Sequence, residues 1–239
     1  MGEKVGETAA LGLQAGEYVE MTVRTRIKIC GITDIAGARS AVAAGVDALG
    51  FIFVAESPRN VDPDTVKDIV ATLPPFVDAV GVFMDQYAEV VEEIVQYCGL
   101  TLVQLHGSET PEYCRKMSGR VLKSFRLGQD ALAEDHDFYA PYFGVVEGFL
   151  LDTFHPKMAG GTGKAFDWSL VDRFRPPGPI VLAGGLNPGN IAAAIETVQP
   201  FAVDVNSGVE LEPGKKDAEA ILRLVANARV ADMKKTPDG

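Results

Sequence analysis

The chain has 239 residues, of which 47% are hydrophobic, and its 22 basic residues stand against 33 acidic ones for a formal net charge of −11. Nucleic acids and anionic membranes favour a basic surface, so neither is an expected partner. No apolar run approaches the roughly 18 residues of a membrane-spanning helix. A small anionic ligand is compatible with this charge, because a local group of cations overrides a distant and screened field.

The cysteine count and the chain ends define the expected compartment and domain. The three cysteines are Cys30, Cys98 and Cys114. Their odd number and wide spacing predict neither a disulfide framework nor a metal site of the zinc type, and a reducing cytoplasm is expected. Residues 1–22 lack the apolar segment of a signal peptide. We predict a weakly structured N-terminal extension over 1–22, one domain over 23–232 and a tail over 233–239.

Eight short apolar runs alternate with longer segments of helical periodicity from Arg26 onward. Such runs are typical of strands that are buried on both faces of a parallel sheet. The predicted strands are Ile27–Cys30, Ala48–Phe53, Val77–Phe83, Leu102–Leu105, Val121–Phe125, Phe149–Asp152, Ile180–Ala183 and Ala202–Val205. Eight strand–helix units of about 25 residues predict a single α/β domain, a (β/α)₈ (TIM) barrel. The competing open sheet usually carries a glycine-rich turn after its first strand, where this chain has only Gly31.

Capping and helix-breaking residues predict where the helices begin and end. The predicted starts are Thr33, Pro63, Tyr87, Pro111, Pro188 and Lys216. Two helices are predicted to stop at glycines, Gly45 and Gly99. The fifth and sixth connections have a less regular pattern.

In a barrel of this kind, chemistry takes place where the strands end. Cys30 ends the first strand, and Lys28 points to the same face two residues earlier. A nearby cation favours the thiolate, which can abstract a proton, although a cysteine is also a small buried hydrophobe. Asp152 ends the sixth strand, where desolvation holds a carboxyl protonated as a general acid requires. Its plainer interpretation is a cap for the segment that follows.

Further polar side chains end strands four and eight, namely Gln104, His106, Asp204 and Asn206. His106 is either a substrate contact or a satisfied histidine at the rim, and Asp204 also suits a hydrogen bond to loop backbone. Arg59 follows strand two, where its planar fork could bind a carboxylate or could simply be a surface charge.

Glycine-rich loops follow strands six, seven and eight. Gly184 and Gly185 follow strand seven, and Ser207 and Gly208 follow strand eight. Glycines let backbone N–H groups approach an anion closely, and these two loops commonly hold phosphate in this architecture. A simple turn is the alternative. The third stretch, residues 159–164, is interpreted as a mobile lid. It is not a P-loop, because its glycine and lysine spacing does not fit one.

Seven segments, in the same order, resemble the phosphoribosylanthranilate isomerase family over residues 26–230. They are Lys28–Thr33, Val103–Gly107, Leu151–Thr153, Gly160–Lys164, Phe166–Trp168, Ala183–Pro188 and Asp204–Glu210. The family is a (β/α)₈ barrel of tryptophan biosynthesis. The resemblance implies an Amadori rearrangement of N-(5-phosphoribosyl)anthranilate to 1-(2-carboxyphenylamino)-1-deoxyribulose 5-phosphate, without a cofactor.

The resemblance also implies a role for each candidate residue. Cys30 matches the general base, Asp152 the general acid and Arg59 the arginine that holds the anthranilate carboxylate. The phosphate site matches Gly184, Gly185, Ser207 and Gly208, and further site positions match His106 and Asp204. Asn206 stands where many relatives have serine, and we expect only a local change there. The expected partner is a small phosphorylated substrate, and the expected state is a monomer or homodimer.

Three other functions remain open at this point. A histidine-pathway isomerase would show two similar halves, which this chain lacks. Indole-glycerol-phosphate synthase needs lysine and glutamate chemistry at strand ends, for which Lys28 and Lys123 are candidates. A non-catalytic barrel that binds another phosphorylated metabolite or a partner protein would not need Cys30 and Asp152.

Overall fold

The computed structural model describes residues 24–127, 139–152, 168, 171 and 175–234. Eight parallel strands close into a barrel, in which each strand pairs with its neighbours in the chain and the eighth pairs with the first. The strands are β1 (Arg26–Ile29), β2 (Ala48–Ile52), β3 (Asp78–Phe83), β4 (Leu102–Leu105), β5 (Arg120–Arg126), β6 (Gly148–Asp152), β7 (Ile180–Ala183) and β8 (Ala202–Val205). Each end lies within one residue of its predicted position, and the barrel is confirmed over the open sheet.

Helices lie between the strands. They are α1 (Ile35–Ala43), α2 (Pro63–Val70), α3 (Ala88–Cys98), α4 (Pro111–Cys114), α5 (Ile191–Val198) and α6 (Ala218–Met233). α2 begins at Pro63 as predicted, because the Asp62 carboxylate accepts the Thr65 N–H at 2.9 Å. α3 ends at Gly99, which adopts the left-handed conformation with φ 71°. No helix of the residues described here is long and apolar enough to cross a membrane.

The predicted cap of α1 was wrong by one residue. Asp34 is the N-cap, and its carboxylate accepts the Gly37 N–H at 2.6 Å. The Thr33 hydroxyl instead donates to the Gly214 carbonyl at 2.7 Å. A distant loop therefore takes the side chain that the local pattern assigned to the helix. The last two helices begin two or three residues after their predicted starts, at Ile191 and Ala218.

Alternation along the strands divides the buried residues into two layers. Outward-facing side chains pack with the helices in one large core, for example Ile29, Phe51, Phe83, Leu105 and Leu151. Inward-facing side chains form two small groups inside the barrel, around Leu150 and around Cys30. The barrel interior also holds four buried polar side chains, Lys28, Gln104, Ser124 and Asp204. A polar interior below the strand ends indicates a site rather than packing alone.

A short hairpin after β8 was not predicted. Its strands are β9 (Glu210–Glu212) and β10 (Lys215–Lys216), which pair antiparallel. The hairpin places Glu210 and Lys216 beside the loops that follow β1 and β2, as their contacts below show. The predicted extension over 1–22 and the predicted lid over 159–164 lie outside the described residues, and the domain boundaries stay a prediction.

Candidate active site

A cavity of about 280 Å³ opens at the carboxyl ends of the strands. Most of the residues that the sequence proposed for the site line this cavity, namely Cys30, His106, Asp152, Gly184, Gly185, Asp204 and Ser207. Arg59 and Gly208 are not among the residues that line it. Gln104 and Asn206, noted at strand ends, line it as well. The fold thus gathers side chains that are up to 177 positions apart (207 − 30) in the chain.

Lys28 and Asp204 form an ion pair inside the barrel. The Lys28 Nζ atom donates to Asp204 Oδ1 at 2.8 Å, and both side chains are buried. Burial lowers the pKa of Lys28, but the attraction of Asp204 and Cys30 outweighs it, so the pKa lies above its ordinary value. Lys28 is therefore a protonated cation beside Cys30. Asp204 binds this lysine rather than loop backbone.

Cys30 lies against the Lys28 ammonium in a very confined space. A Cβ atom on Gly50 of β2 would lie 2.8 Å from Cys30 Sγ and 2.9 Å from Lys28 Nζ. Glycine at this position leaves room for both groups. Burial raises the pKa of the Cys30 thiol, and the Lys28 ammonium, which lowers it, only partly offsets this effect. Lys28 therefore favours the thiolate in the expected direction, but desolvation is the larger effect.

Asp152 and His106 meet on the other side of the cavity, on β6 and after β4. The His106 Nε2 and Asp152 Oδ2 atoms are 3.9 Å apart, and the two side chains are 22% and 19% exposed. Burial lowers the pKa of His106 below its ordinary value, although the Asp152 carboxylate acts to raise it. At neutral pH the imidazole is therefore uncharged and can donate or accept a hydrogen bond. Partial exposure leaves the Asp152 carboxyl within reach of a ligand.

Arg59 belongs to a charged cluster that the new hairpin completes. Its Nε and one terminal nitrogen donate to the Glu210 carboxylate at 2.9 and 2.7 Å. Lys216 donates to the same carboxylate at 2.7 Å. Burial acts to raise the pKa of Glu210, but the bonds from Arg59 and Lys216 hold it below its usual range. Two cations against one carboxylate leave a local positive surplus beside Asn206, which lines the cavity, although the chain is acidic overall.

Asn206 joins this cluster to the cavity. The Lys216 Nζ atom lies 3.1 Å from Asn206 Oδ1 and 3.3 Å from its carbonyl oxygen. A Cβ atom on Gly31 would come within 2.7 Å of both Arg59 Cδ and Asn206 Oδ1. The asparagine therefore binds a lysine that was not a predicted site residue. Glu210 was present there only as the last residue of a matching segment, and Lys216 only as a helix start.

Lys123 is the second lysine that the indole-glycerol-phosphate synthase hypothesis would use. It lies on the outer face of β5 and does not line the cavity. Its Nζ atom donates to Glu109 Oε2 at 2.8 Å and to the Gly107 carbonyl at 2.7 Å, and both charged side chains are 2% exposed. Glu109 in turn accepts the Gly107 N–H at 3.0 Å. The pair thus supports the loop that carries His106. Of the two candidate lysines, only Lys28 points into the barrel, where it lies beside Cys30.

The loops after β7 and β8 pack backbone against backbone. Gly184 and Gly185 have φ values of +99° and +63°, which favour glycine. A Cβ atom on Gly208 would lie 1.9 Å from the Leu186 carbonyl oxygen. Gly208 thus allows the two loops to close on each other, with Gly184, Gly185 and Ser207 lining the same cavity. Glycine-rich loops of this kind suit an anion.

The close contact at Gly208 leads to a prediction. Gly208→Ala is expected to lower the free energy of unfolding by about 1–3 kcal/mol, because the backbone must move to admit the methyl group. It should also weaken the binding of inorganic phosphate. Urea unfolding and phosphate titration measure both effects. Gly119→Ala is the matched control, since no atom lies within 4 Å of its added Cβ. Equal behaviour of the two variants would contradict the assigned role of Gly208.

Comparisons with known proteins agree with this geometry. The family model for N-(5'-phosphoribosyl)anthranilate (PRA) isomerase matches residues 27–227. The N-(5'-phosphoribosyl)anthranilate isomerase of Geobacter sp. (strain M21) is 48% identical over 206 residues, which are 86% of this chain and 98% of the relative.

Solved structures show the same similarity. The phosphoribosyl anthranilate isomerase of Thermotoga maritima has a TM-score of 0.75 and 42% identity, over 86% of this chain and 99% of that one. A phosphoribosyl anthranilate isomerase crystallised with reduced 1-(o-carboxyphenylamino)-1-deoxyribulose 5-phosphate has a TM-score of 0.73 and 40% identity, with the same coverage. The chain therefore belongs to the N-(5'-phosphoribosyl)anthranilate isomerase family, whose members are enzymes of tryptophan biosynthesis.

Proposed function

We propose that the enzyme rearranges N-(5'-phosphoribosyl)anthranilate to 1-(2-carboxyphenylamino)-1-deoxyribulose 5-phosphate, with Cys30 as general base and Asp152 as general acid. The observation that carries this proposal is one cavity lined by Cys30, Asp152 and the glycine loops after β7 and β8. A relative at 40% identity was crystallised with a reduced form of the same product. This ligand carries a phosphate, which suits the glycine loops after β7 and β8. It also carries a carboxylate, which suits the positive cluster around Arg59.

The chemistry needs one acid and one base on different sides of the sugar. Asp152 protonates the ring oxygen of the ribose, which opens the ring and leaves an iminium at C1. Cys30, as the thiolate, then removes the proton from C2 and forms an enolamine. The enolamine tautomerises to the ketone. Cys30 follows β1 and Asp152 ends β6, and these strands are three places apart around the closed barrel, so the two side chains can flank the sugar.

The charged neighbours support each step. Lys28 lowers the cost of forming the Cys30 thiolate, although burial opposes it. Neutral His106 lies beside Asp152 and can hydrogen bond to the sugar while its ring opens. Because the imidazole is uncharged, it does not replace Asp152 as the proton donor. The Arg59, Lys216 and Glu210 cluster carries the positive surplus that an anthranilate carboxylate requires. The loops that contain Gly184, Gly185, Ser207 and Gly208 supply N–H groups for the phosphate.

Arg59 provides a test of the carboxylate end. Arg59→Lys keeps the charge but loses the planar fork, so KM is expected to rise by about tenfold with little change in kcat. Inhibition by inorganic phosphate should not change, because that end of the cavity is intact. Arg115→Lys on α4 is the control, since this arginine is exposed and contacts only Glu112 at 3.4 Å among the ion pairs of the described residues. An unchanged KM in Arg59→Lys would contradict the carboxylate role.

The reaction itself is tested by fluorescence. Freshly generated phosphoribosylanthranilate is mixed with the purified protein, and the loss of anthranilate-type fluorescence is followed. We expect a loss that is proportional to the protein concentration. If the protein fails while an active isomerase control succeeds in the same mixture, the non-catalytic phosphate-binding barrel becomes the better interpretation, and sugar phosphates should then be tested by thermal shift.

We also propose that the enzyme works in the cytoplasm as a monomer or homodimer, without a nucleic-acid or membrane partner. Its three cysteines are free and buried, which suits a reducing compartment. Its net charge of −11 opposes binding to polyanions.

A further inference from the structure

Gln104 on β4 is a buried polar residue that the proposed mechanism does not use. Its side chain points into the barrel, and the residue is 2% exposed while still lining the cavity. Its Oε1 atom is fully buried and has no hydrogen-bond partner among the described residues. Buried side-chain oxygens are nearly always hydrogen bonded. An unpartnered amide at the wall of a ligand cavity therefore indicates a group that is reserved for the ligand.

The side chains in register with Gln104 inside the barrel offer no donor. Gln104 lies in register with Val82 on β3 and Leu122 on β5. Leu150 on β6 lines the same cavity. These side chains are apolar, and no other described residue bonds to Oε1, so a ligand in the cavity that Gln104 lines can supply its donor.

The position of Gln104 selects the part of the ligand that it meets. The phosphate loops follow β7 and β8, and the Arg59 cluster lies beside β1 and β2, whereas β4 is diametrically opposite β8 in the closed barrel. Gln104 thus lies apart from both charged ends of the ligand. The part of the ligand that remains for it is the sugar chain that joins them in the proposed reaction.

The chemistry of an amide suits a hydroxyl. Its oxygen accepts a hydrogen bond and its NH₂ group donates, while a hydroxyl can do both in return. The unpartnered Oε1 atom needs a donor, which a hydroxyl supplies and an ionised phosphate or carboxylate oxygen does not. We propose that the Gln104 amide binds a hydroxyl of the substrate's sugar chain and so positions C1 and C2 between Asp152 and Cys30. This inference rests on the proposed function.

A ligand-binding role and a structural role have opposite effects on stability. An unpartnered buried oxygen destabilises the fold, so its replacement by an apolar side chain of similar volume is neutral or stabilising. Gln104→Met is therefore expected to keep or raise the free energy of unfolding while it lowers the affinity for the ligand. If Gln104 had a structural role, the same variant would have a lower free energy of unfolding.

The experiment uses the full chain and three readouts. Calorimetric titration with reduced 1-(o-carboxyphenylamino)-1-deoxyribulose 5-phosphate, the ligand of the solved relative, should show about tenfold weaker binding to Gln104→Met. The value of kcat/KM should fall by a similar factor. The affinity for inorganic phosphate should not change. Gln104→Leu gives the same comparison if the longer methionine disturbs packing.

Ser124→Ala is the matched control. Ser124 is also a buried residue of the barrel interior, and its Oγ atom is also unpartnered within the described part of the chain, but it does not line the cavity. We expect its ligand affinity and kcat/KM to equal those of the unsubstituted enzyme. Unchanged ligand affinity in both Gln104 variants would overturn the inference while leaving the proposed function intact. Absence of turnover and of ligand binding in the unsubstituted enzyme would overturn both.

Discussion

Cys30→Ala is expected to lower kcat by about 10²–10⁴-fold with little change in KM, because it removes the group that takes the C2 proton and leaves the carboxylate and phosphate ends in place. Steady-state fluorescence assays measure both constants. Turnover at the unsubstituted rate would exclude Cys30 as the base.

Cys98→Ala separates catalysis from the loss of a buried cysteine. Cys98 ends α3 far from the cavity, and burial raises its pKa to about 11. We expect normal kcat in this variant, although both alanine variants lose some stability to the cavity that they create. A similar loss of activity in Cys98→Ala would show that the effect comes from packing rather than from chemistry.

The pH dependence of the unsubstituted enzyme follows from the state of Cys30. The base works only as the thiolate, and burial raises the pKa of this thiol above its ordinary value despite Lys28. The thiolate fraction therefore increases as the pH rises from neutral, and this ionisation produces the ascending limb of kcat/KM. The same limb should disappear from the residual activity of Cys30→Ala. An ascending limb that persists in the variant would assign the ionisation to another group.

Asp152→Asn is expected to lower kcat by about 10²–10⁴-fold, because the amide has nearly the same shape as the carboxylic acid but cannot transfer a proton to the ribose oxygen. Binding of inorganic phosphate and the free energy of unfolding should change little, since Asp152 is partly exposed.

Asp68→Asn on α2 is the control for this substitution, because Asp68 is exposed and remote from the strand ends. We expect its kcat to be normal. If Asp152→Asn retained full kcat, ring opening would need another acid and the assignment of Asp152 would be wrong.

Local patterns were sufficient to predict the barrel and several of the residues that line its cavity. The apolar runs predicted every strand of the barrel, because a strand that is buried on both faces needs a continuous run of apolar residues. Once the strands were placed, their carboxyl ends pointed to Cys30, His106, Asp152 and Asp204, and all of these line one cavity. The helix starts were less accurate, as Thr33 shows, because a distant carbonyl competes for a capping side chain.

The sequence by itself thus determined the fold class, the order of the elements and most of the residues at the cavity. Only the tertiary structure decided their partners and charges. Lys28 binds Asp204 across 176 positions, Arg59 binds Glu210 across 151, and Gln104 Oε1 remains unpartnered inside the barrel. The reason is physical: periodicity reports the direction of a side chain, whereas ion pairing and desolvation depend on which distant segments the closed barrel brings into contact.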